Sequence, residues 1–299
     1  MVEVVESDAP SPSELLAIQA LVDAATAADH TSALSDDHRL ALRRGDPAEG
    51  TRLVARDGRE VVGFAQLLRG NDVRSLELVV DPDHRALVVD DALTEAALQR
   101  AAAWGPGRVR MLVAAVRSED DARLARFGFE PERDVLQLRV PLPLHVEARW
   151  PAGVELRTFE PGVDEDAWLT VNNRAFATHP EQGGWVRATL DAHMAEPWFD
   201  PKGFLMAFDH QGLAGFCWTK IHADEGLGEI YVIGVDPGRQ GLGLGRALVV
   251  AGLQHMAELD VPTGMLYVEG DNDAALGLYR SLGFTEHQRD RWYITEVAP

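Results

Sequence analysis

The stretch GEIYVIGVDPGRQGLGLGR, Gly228–Arg246, runs from an apolar strand through Asp236-Pro237 into a glycine-rich turn and then into a helix. Gly241, Gly243 and Gly245 stand at alternate positions, where the lack of a side chain lets successive backbone N–H groups turn toward one concave point. The unpaired N–H groups and the dipole of the following helix add to that field, so the turn reads as an anion cradle. A P-loop would end in Gly-Lys-Ser/Thr, whereas Gly245 is followed by Arg246-Ala247. A dinucleotide site would set Gly-x-Gly-x-x-Gly directly after the strand, and here Asp-Pro-Gly-Arg intervenes.

The remainder of the 299-residue chain suits a protein with a full core, since 46% of it is hydrophobic, and its length suggests two domains. No run approaches 18 apolar residues, and the start MVEVVESDAPSPSE is acidic, unlike a signal peptide. A cytoplasmic protein with no membrane association is the expectation. With 48 acidic against 28 basic residues the formal charge is −20, and no Lys/Arg cluster offsets it, so nucleic acid is not an expected partner. An anionic ligand must then be held locally, by backbone N–H groups and by Arg239 and Arg246. The single cysteine, Cys217 in GFCWTK, reads as a core thiol on a strand. Nothing in the sequence calls for a metal.

The chain aligns with itself. Val80-Asp81-Pro82 matches Val235-Asp236-Pro237 and Phe127-Gly128-Phe129 matches Leu282-Gly283-Phe284, both at an offset of 155. The segment VVGFAQL around Gly63 matches LAGFCWTK around Gly215 at an offset of 152. Each copy reads as a helical opening, a pair of strands, the Asp-Pro strand, a long helix, a strand, a short helix and a final hairpin. In the second copy these fall at about 165–176, 204–208 with 214–221, 228–235, 243–259, 263–269, 272–281 and 284–297. The fold class expected is α/β (α+β), two tandem domains, each a mixed, mostly antiparallel sheet flanked by helices. The boundaries are 1–140, a proline-rich linker at 141–153, and 154–299. At the 155 offset Gly243 and Gly245 correspond to Val88 and Asp90, Glu229 to Arg74 and Tyr279 to Leu124. The first copy therefore reads as catalytically degraded, although its strand residues Leu78, Val79 and Val80 leave a weak second coenzyme site open.

The pattern Gln240-x-x-Gly243-x-Gly245 after Val235-Asp236-Pro237 resembles the pyrophosphate loop of GNAT-type acyltransferases, which implies acetyl-CoA as co-substrate. The resemblance assigns the coenzyme to Ile233, Gly234 and Val235, whose backbone would meet the pantetheine arm. It adds Gln240, Gly241, Leu242, Gly243, Leu244, Gly245 and Arg246 around the diphosphate. Asn272, a candidate N-cap, and the first turn Asp273, Ala274, Ala275, Leu276 and Gly277 complete the set. Acetyl transfer to an amine needs a base for the ammonium and an acid for the departing thiolate. The resemblance gives those roles to Glu229 and Tyr279. Taken alone, Glu229 also reads as a solvated strand-end carboxylate and Tyr279 as core packing.

The segments NNRAFATHPEQGGW, AEPWFDPKGFLMAF, GFCWTKIH, GLGEIYVIGVDP and LYVEGDNDAALGLYRSLGF together resemble the mycothiol synthase family of tandem GNAT enzymes, along essentially the whole chain. That resemblance implies transfer of acetyl from acetyl-CoA to the cysteinyl amine of cysteinyl-glucosaminyl-inositol, giving mycothiol. It sets Glu181, Lys220, Glu229 and Tyr267 on the acceptor and adds Asp36 from the first half. Carboxylates accept hydrogen bonds from sugar and inositol hydroxyls, and Lys220 and Tyr267 can donate to ring or amide oxygens. Each also has a plain reading: a turn carboxylate for Glu181, a solvated lysine for Lys220, a strand tyrosine for Tyr267, an acidic-loop residue for Asp36. Two other functions share these features: a GNAT enzyme for another amine, such as a protein N-terminus or an aminoglycoside, and a non-enzymatic acyl-CoA-binding regulator.

Overall fold

The computed structural model describes residues 2–7, 10–29, 32–46, 48–70, 72–85, 87–177 and 182–298, leaving aside the side chain of Leu87. The chain forms two compact units, one of residues 1–135 with 289–299 and one of residues 136–288.

The first unit holds β1 (Val2–Glu6), α1 (Pro12–Asp29), α2 (Asp36–Arg44), β2 (Gly50–Asp57), β3 (Glu60–Leu68), β4 (Val73–Val80), α3 (Leu87–Ala103), β5 (Gly107–Val113), α4 (Asp120–Ala125) and the start of β6 (Glu130–Pro141). Strands β1 to β4 are joined antiparallel in chain order, and β4 turns parallel against β5. Its sheet is sandwiched: Leu76, Leu93, Ala97 and Met111 pack on one face, and Ile18, Leu21, Phe64 and Val79 on the other.

The second unit takes the rest of β6, then β7 (Glu155–Thr158), α5 (Glu165–Ala175), α6 (Arg187–Met194), β8 (Phe204–Asp209), β9 (Gly212–His222), β10 (Leu227–Val235), α7 (Leu244–Glu258), β11 (Thr263–Glu269), α8 (Asp273–Ser281) and the start of β12 (Thr285–Val297). Strands β7 to β10 are antiparallel in order, β10 and β11 are parallel, and β6 lies beside β11. One face is aliphatic, with Leu248, Leu253 and Met256 of α7 over Cys217 and Ile230. The other is aromatic: Trp168 of α5 meets Trp218, Phe204 and Phe216 edge-on at 5.3–5.9 Å, and Phe204 stacks on Trp218 at 4.5 Å. Such rings each contribute roughly 1.5–3 kcal/mol on burial, and edge-on geometry adds its own preference. Cys217 sits fully within the aliphatic core, and burial pushes its thiol up to about 12.

Three expectations change. The final hairpin at 284–297 is one strand, β12, because no Gly, Pro or Asn between Thr285 and Val297 supplies a tight turn. The division of the chain also falls elsewhere than at 140 and 154. Strand β6 runs on from the first unit into the second, and β12 returns to the first, where Arg291–Val297 pair antiparallel with Val113–Gly107 of β5. The proline-rich segment 141–153 has no regular structure beyond Pro141, yet it is not a free tether. Leu142, Leu144, Ala148 and Trp150 pack on the aliphatic core of the second unit, and Val146 O accepts from Gln254 Nε2 at 3.2 Å. The sequence reading also passed over β7 and α6, the short elements that bracket α5.

Among the described residues, no helix is long and apolar enough to cross a membrane, and no three His, Cys, Asp or Glu side chains are grouped to hold a metal.

Candidate active site

Strand β10 pairs with β11 only from Leu227↔Thr263 to Ile230↔Leu266, and beyond that point the two strands part. Val235 ends β10, and Asp236 caps the next turn by accepting from Gly238 N at 2.9 Å. Asp236 is buried, and both its oxygens meet guanidinium groups: Arg239 Nη1 on Oδ1 and Arg174 Nη1 on Oδ2, each at 3.0 Å. The turn is thus pinned before the glycines begin. Gly241 and Gly243 have φ of 80° and 81°, with nothing within 4 Å of where a Cβ would stand. Backbone conformation, not crowding, demands glycine there. Gly243 is the N-cap of α7, so the free N–H groups of the helix open onto the turn.

A cavity of about 400 Å³ follows the split, lined by Ile233, Gly234, Val235, Gln240, Gly241, Gly243, Leu244, Gly245 and Arg246, with Arg239, Val249, Leu278 and Tyr279. Nine of the residues expected around a coenzyme therefore come together. Leu242 is exposed outside the lining, and 272–277 do not line it either, although Asn272 does cap α8 by accepting from Ala275 N at 3.1 Å. Arg239 lines the cavity, but its charge is shared with Asp236 and with Asp209 at 3.2 Å, so it offers less to an anion than the sequence suggested. Gly234 owes its identity to packing: a Cβ would stand 2.8 Å from Phe216 Cε1 and 3.3 Å from Ala175 Cβ. Tyr279 is buried against Phe284, and burial pushes its phenol up to about 12, so it stays protonated at neutral pH.

Glu229 is buried and stands opposite Lys220 in the β9–β10 ladder, outside the lining of that cavity. His222 Nε2 is 2.8 Å from its Oε2. Lys220 is 6% exposed, not a solvated lysine, and its Nζ lies 4.7 Å from the Trp198 ring and 5.2 Å from the Tyr231 ring. Tyr231 OH is 3.1 Å from His193 Nδ1, and His193 stacks on Trp185 at 4.6 Å. Tyr267 is 36% exposed and its hydroxyl accepts from Gln137 Nε2 at 2.7 Å. Asn173 of α5 exchanges two hydrogen bonds with the Trp185 backbone, at 2.8 and 2.9 Å, and Asn172 Nδ2 donates to Gln182 O. Glu181 lies outside the described residues. Asp36, in the first unit, opens α2 behind the Ser35 cap and is ion-paired with Arg39.

The sequence reading missed Tyr231, Trp198, His193 and His222. One signal was present. In the ladders Lys220↔Glu229 matches Leu68↔Ser75, and Trp218↔Val232 matches Gln66↔Glu77, with Tyr231 left over as a bulge. The counterpart of Glu229 is therefore Ser75, not Arg74, because the bulge adds one residue to the second copy. One residue of the slip between offsets 152 and 155 lies in that bulge.

In the first unit β4 and β5 part in the same way after Leu76↔Met111. The cavity there, about 470 Å³, is lined by Leu78, Val79 and Val80 facing Met111, Leu112 and Val113, with Asp90, Asp120, Arg117 and Arg123. Burial raises the Asp90 carboxyl above its ordinary range.

The sequence profile of the Acetyltransferase (GNAT) family matches residues 16–129 and 167–284, once in each copy. A Streptomyces avermitilis protein named mycothiol acetyltransferase is 44% identical over 297 residues, covering 96% of this chain and 93% of its own. A Streptomyces coelicolor protein of the same name is 45% identical over 293 residues, with the same coverage. Among solved structures, a tandem GNAT protein from the clavulanic acid biosynthesis pathway matches with a TM-score of 0.76 at 20% identity, covering 100% of this chain and 99% of that one. A GCN5-related N-acetyltransferase from Sphaerobacter thermophilus matches with a TM-score of 0.74 at 23% identity, covering 99% and 96%. These two bear on the fold alone.

Proposed function

Because the chain belongs to the GNAT acetyltransferase family, we propose that it transfers acetyl from acetyl-CoA to the cysteinyl amine of cysteinyl-glucosaminyl-inositol, forming mycothiol. The observation that carries the chemistry is the glycine turn at the split of β10 from β11, with Tyr279 in its lining. Support for the acceptor comes from the two Streptomyces relatives named mycothiol acetyltransferase, each matched over 96% of this chain.

In this reading acetyl-CoA supplies the thioester, its diphosphate held by the N–H groups of 241–245 and by Arg246, its pantetheine arm along Ile233–Val235. Glu229 takes a proton from the acceptor ammonium, directly or through water, so that the amine becomes a nucleophile. Tyr279 gives its proton to the departing thiolate. A phenol held at about 12 is an acid that survives to the moment it is needed. Lys220 and Tyr267 of the second unit donate to the ring and amide oxygens of the polyhydroxylated acceptor. The first copy keeps Leu78–Val80 as a secondary contact for a pantetheine arm, with Asp90 opposing its diphosphate.

The test is a steady-state assay of thiol release from acetyl-CoA with cysteinyl-glucosaminyl-inositol, an aminoglycoside and a peptide N-terminus as competing acceptors. N-acetylation of the cysteinyl sugar with the highest kcat/KM is expected. Preference for either other amine overturns the acceptor assignment.

A further inference from the structure

The hairpin β9–β10 ends in a contact that acetyl transfer does not by itself require. His222 is the last residue of β9, and its Nε2 reaches Oε2 of Glu229 at 2.8 Å across the ladder. The side chains are 20% and 10% exposed, so the pair is shielded and the histidine lies on its more solvated side. A carboxylate only accepts, which makes the contact an Nε2–H donated to Glu229. Several charged or titratable groups surround the pair. Lys220 on β9 is the ladder partner of Glu229, and Tyr231 with His193 lies beyond Lys220. Tyr267 follows two residues after Met265, the β11 partner of Glu229, and Asp224 and Glu225 form the turn after His222.

We propose that His222 is the positioning residue for the base. A glutamate beside a lysine and an incoming ammonium has several rotamers open to it, and only one directs a carboxylate oxygen at the amine to be deprotonated. The Nε2–H bond on Oε2 selects that rotamer before the acceptor arrives, so less order has to be gained in the transition state. His222 lies outside the lining of the coenzyme cavity. Neither the coenzyme cradle nor Tyr279 depends on it. The inference rests on the reading of Glu229 as base given above.

The experiment has two arms on the full-length protein. His222→Leu removes the donor and is expected to lower kcat about 10- to 100-fold, the worth of one charge-assisted hydrogen bond. The acetyl-CoA dissociation constant should stay at the wild-type value. His222→Gln, which can return an N–H to the same place, should recover most of the loss. In the second arm, long-range 1H–15N spectra should find the His222 ring in its Nε2–H form, identified by its loss in His222→Gln and disturbed in Glu229→Ala. That arm needs no acceptor. Wild-type kcat in His222→Leu, equal losses in the Leu and Gln variants, or a ring in the Nδ1–H form each overturn the inference. A spectrum as expected in a protein that does not turn over the cysteinyl sugar upholds the pair and counts against the acceptor.

Discussion

The two copies open at the same place in their sheets, each after four parallel pairs, and the larger cavity, about 470 against 400 Å³, belongs to the copy without the glycine turn. Space between strands is therefore inherited from the fold, and what separates the copies is backbone conformation and charge at the mouth. In the second copy φ near 80° at Gly241 and Gly243 presents N–H groups to an anion. In the first, Val88 and Asp90 occupy the corresponding positions, and burial already disfavours the charge on Asp90. The strand before the split differs as well. Glu229 bonds to His222, whereas its counterpart Ser75 is 2.9 Å from the buried ring of His38.

Five measurements test this contrast and the fold that carries it. Glu229→Gln should lower kcat by about 100- to 10,000-fold, the range for a general base, while Ser75→Ala leaves it unchanged. Loss of rate in both would mean that the copies share the work. Tyr279→Phe should cost about 100-fold, with Leu124→Phe in the first copy neutral to the rate. Because burial holds the Tyr279 phenol at about 12, well above 10.0, wild-type kcat should show no alkaline fall near pH 10. Such a fall would remove Tyr279 as the acid.

Smaller effects follow at the cradle and at the sheet edge. A valine at 243 would be forced to φ of 81°, a strain of about 1–3 kcal/mol. Gly243→Val should then weaken acetyl-CoA binding in calorimetry by about 5- to 150-fold, with one strong site in wild type and none gained by Val88→Gly. The smallest effect concerns stability. Asp134 is held below the usual carboxylate range by hydrogen bonds from Arg291 and then Arg289, against the opposing effect of burial. A depressed folded value means stability that is present above the ordinary value of about 3.9 and lost as pH falls through the folded one. Asp134→Asn should cost about 1–2 kcal/mol at neutral pH and make acid unfolding less steep. Equal Tm shifts at pH 3 and pH 7 would refute the linkage.

Much of this was legible in the residues. The glycine turn could be read because positive φ leaves a compositional trace, and the tandem arrangement because Val-Asp-Pro and Leu/Phe-Gly-Phe recur at one spacing. Tyr231 was not legible: a single extra residue in a strand shows only when both ladders are laid side by side, and it displaced the counterpart of Glu229 by one. His222 was not legible for a related reason, since its meeting with Glu229 depends on hairpin register, which the alternation of residues alone leaves open. Lys220 was misjudged as solvated in its plain reading, because the aromatic rings of Trp198 and Tyr231 come from elements whose approach no local pattern encodes. The partner of β12 was equally hidden. Its alternation announces a strand, but nothing in TEHQRDRWYITEV states that it completes the sheet of the earlier copy.

That last exchange bears on how the molecule is made. Strand β5 is translated more than a hundred and seventy residues before the Arg291–Val297 segment that covers its edge, with Tyr293 OH donating to Asp121 and Arg291 bonding Asp134 to fasten it. During synthesis the first copy therefore presents an open, hydrogen-bonding strand for as long as the second copy takes to emerge. An edge of that kind is a template for pairing with the wrong chain. The repeat cannot be cut at its midpoint into two self-sufficient proteins, and a ribosome that stalls just before Arg291 leaves the older half, not the newer one, unfinished.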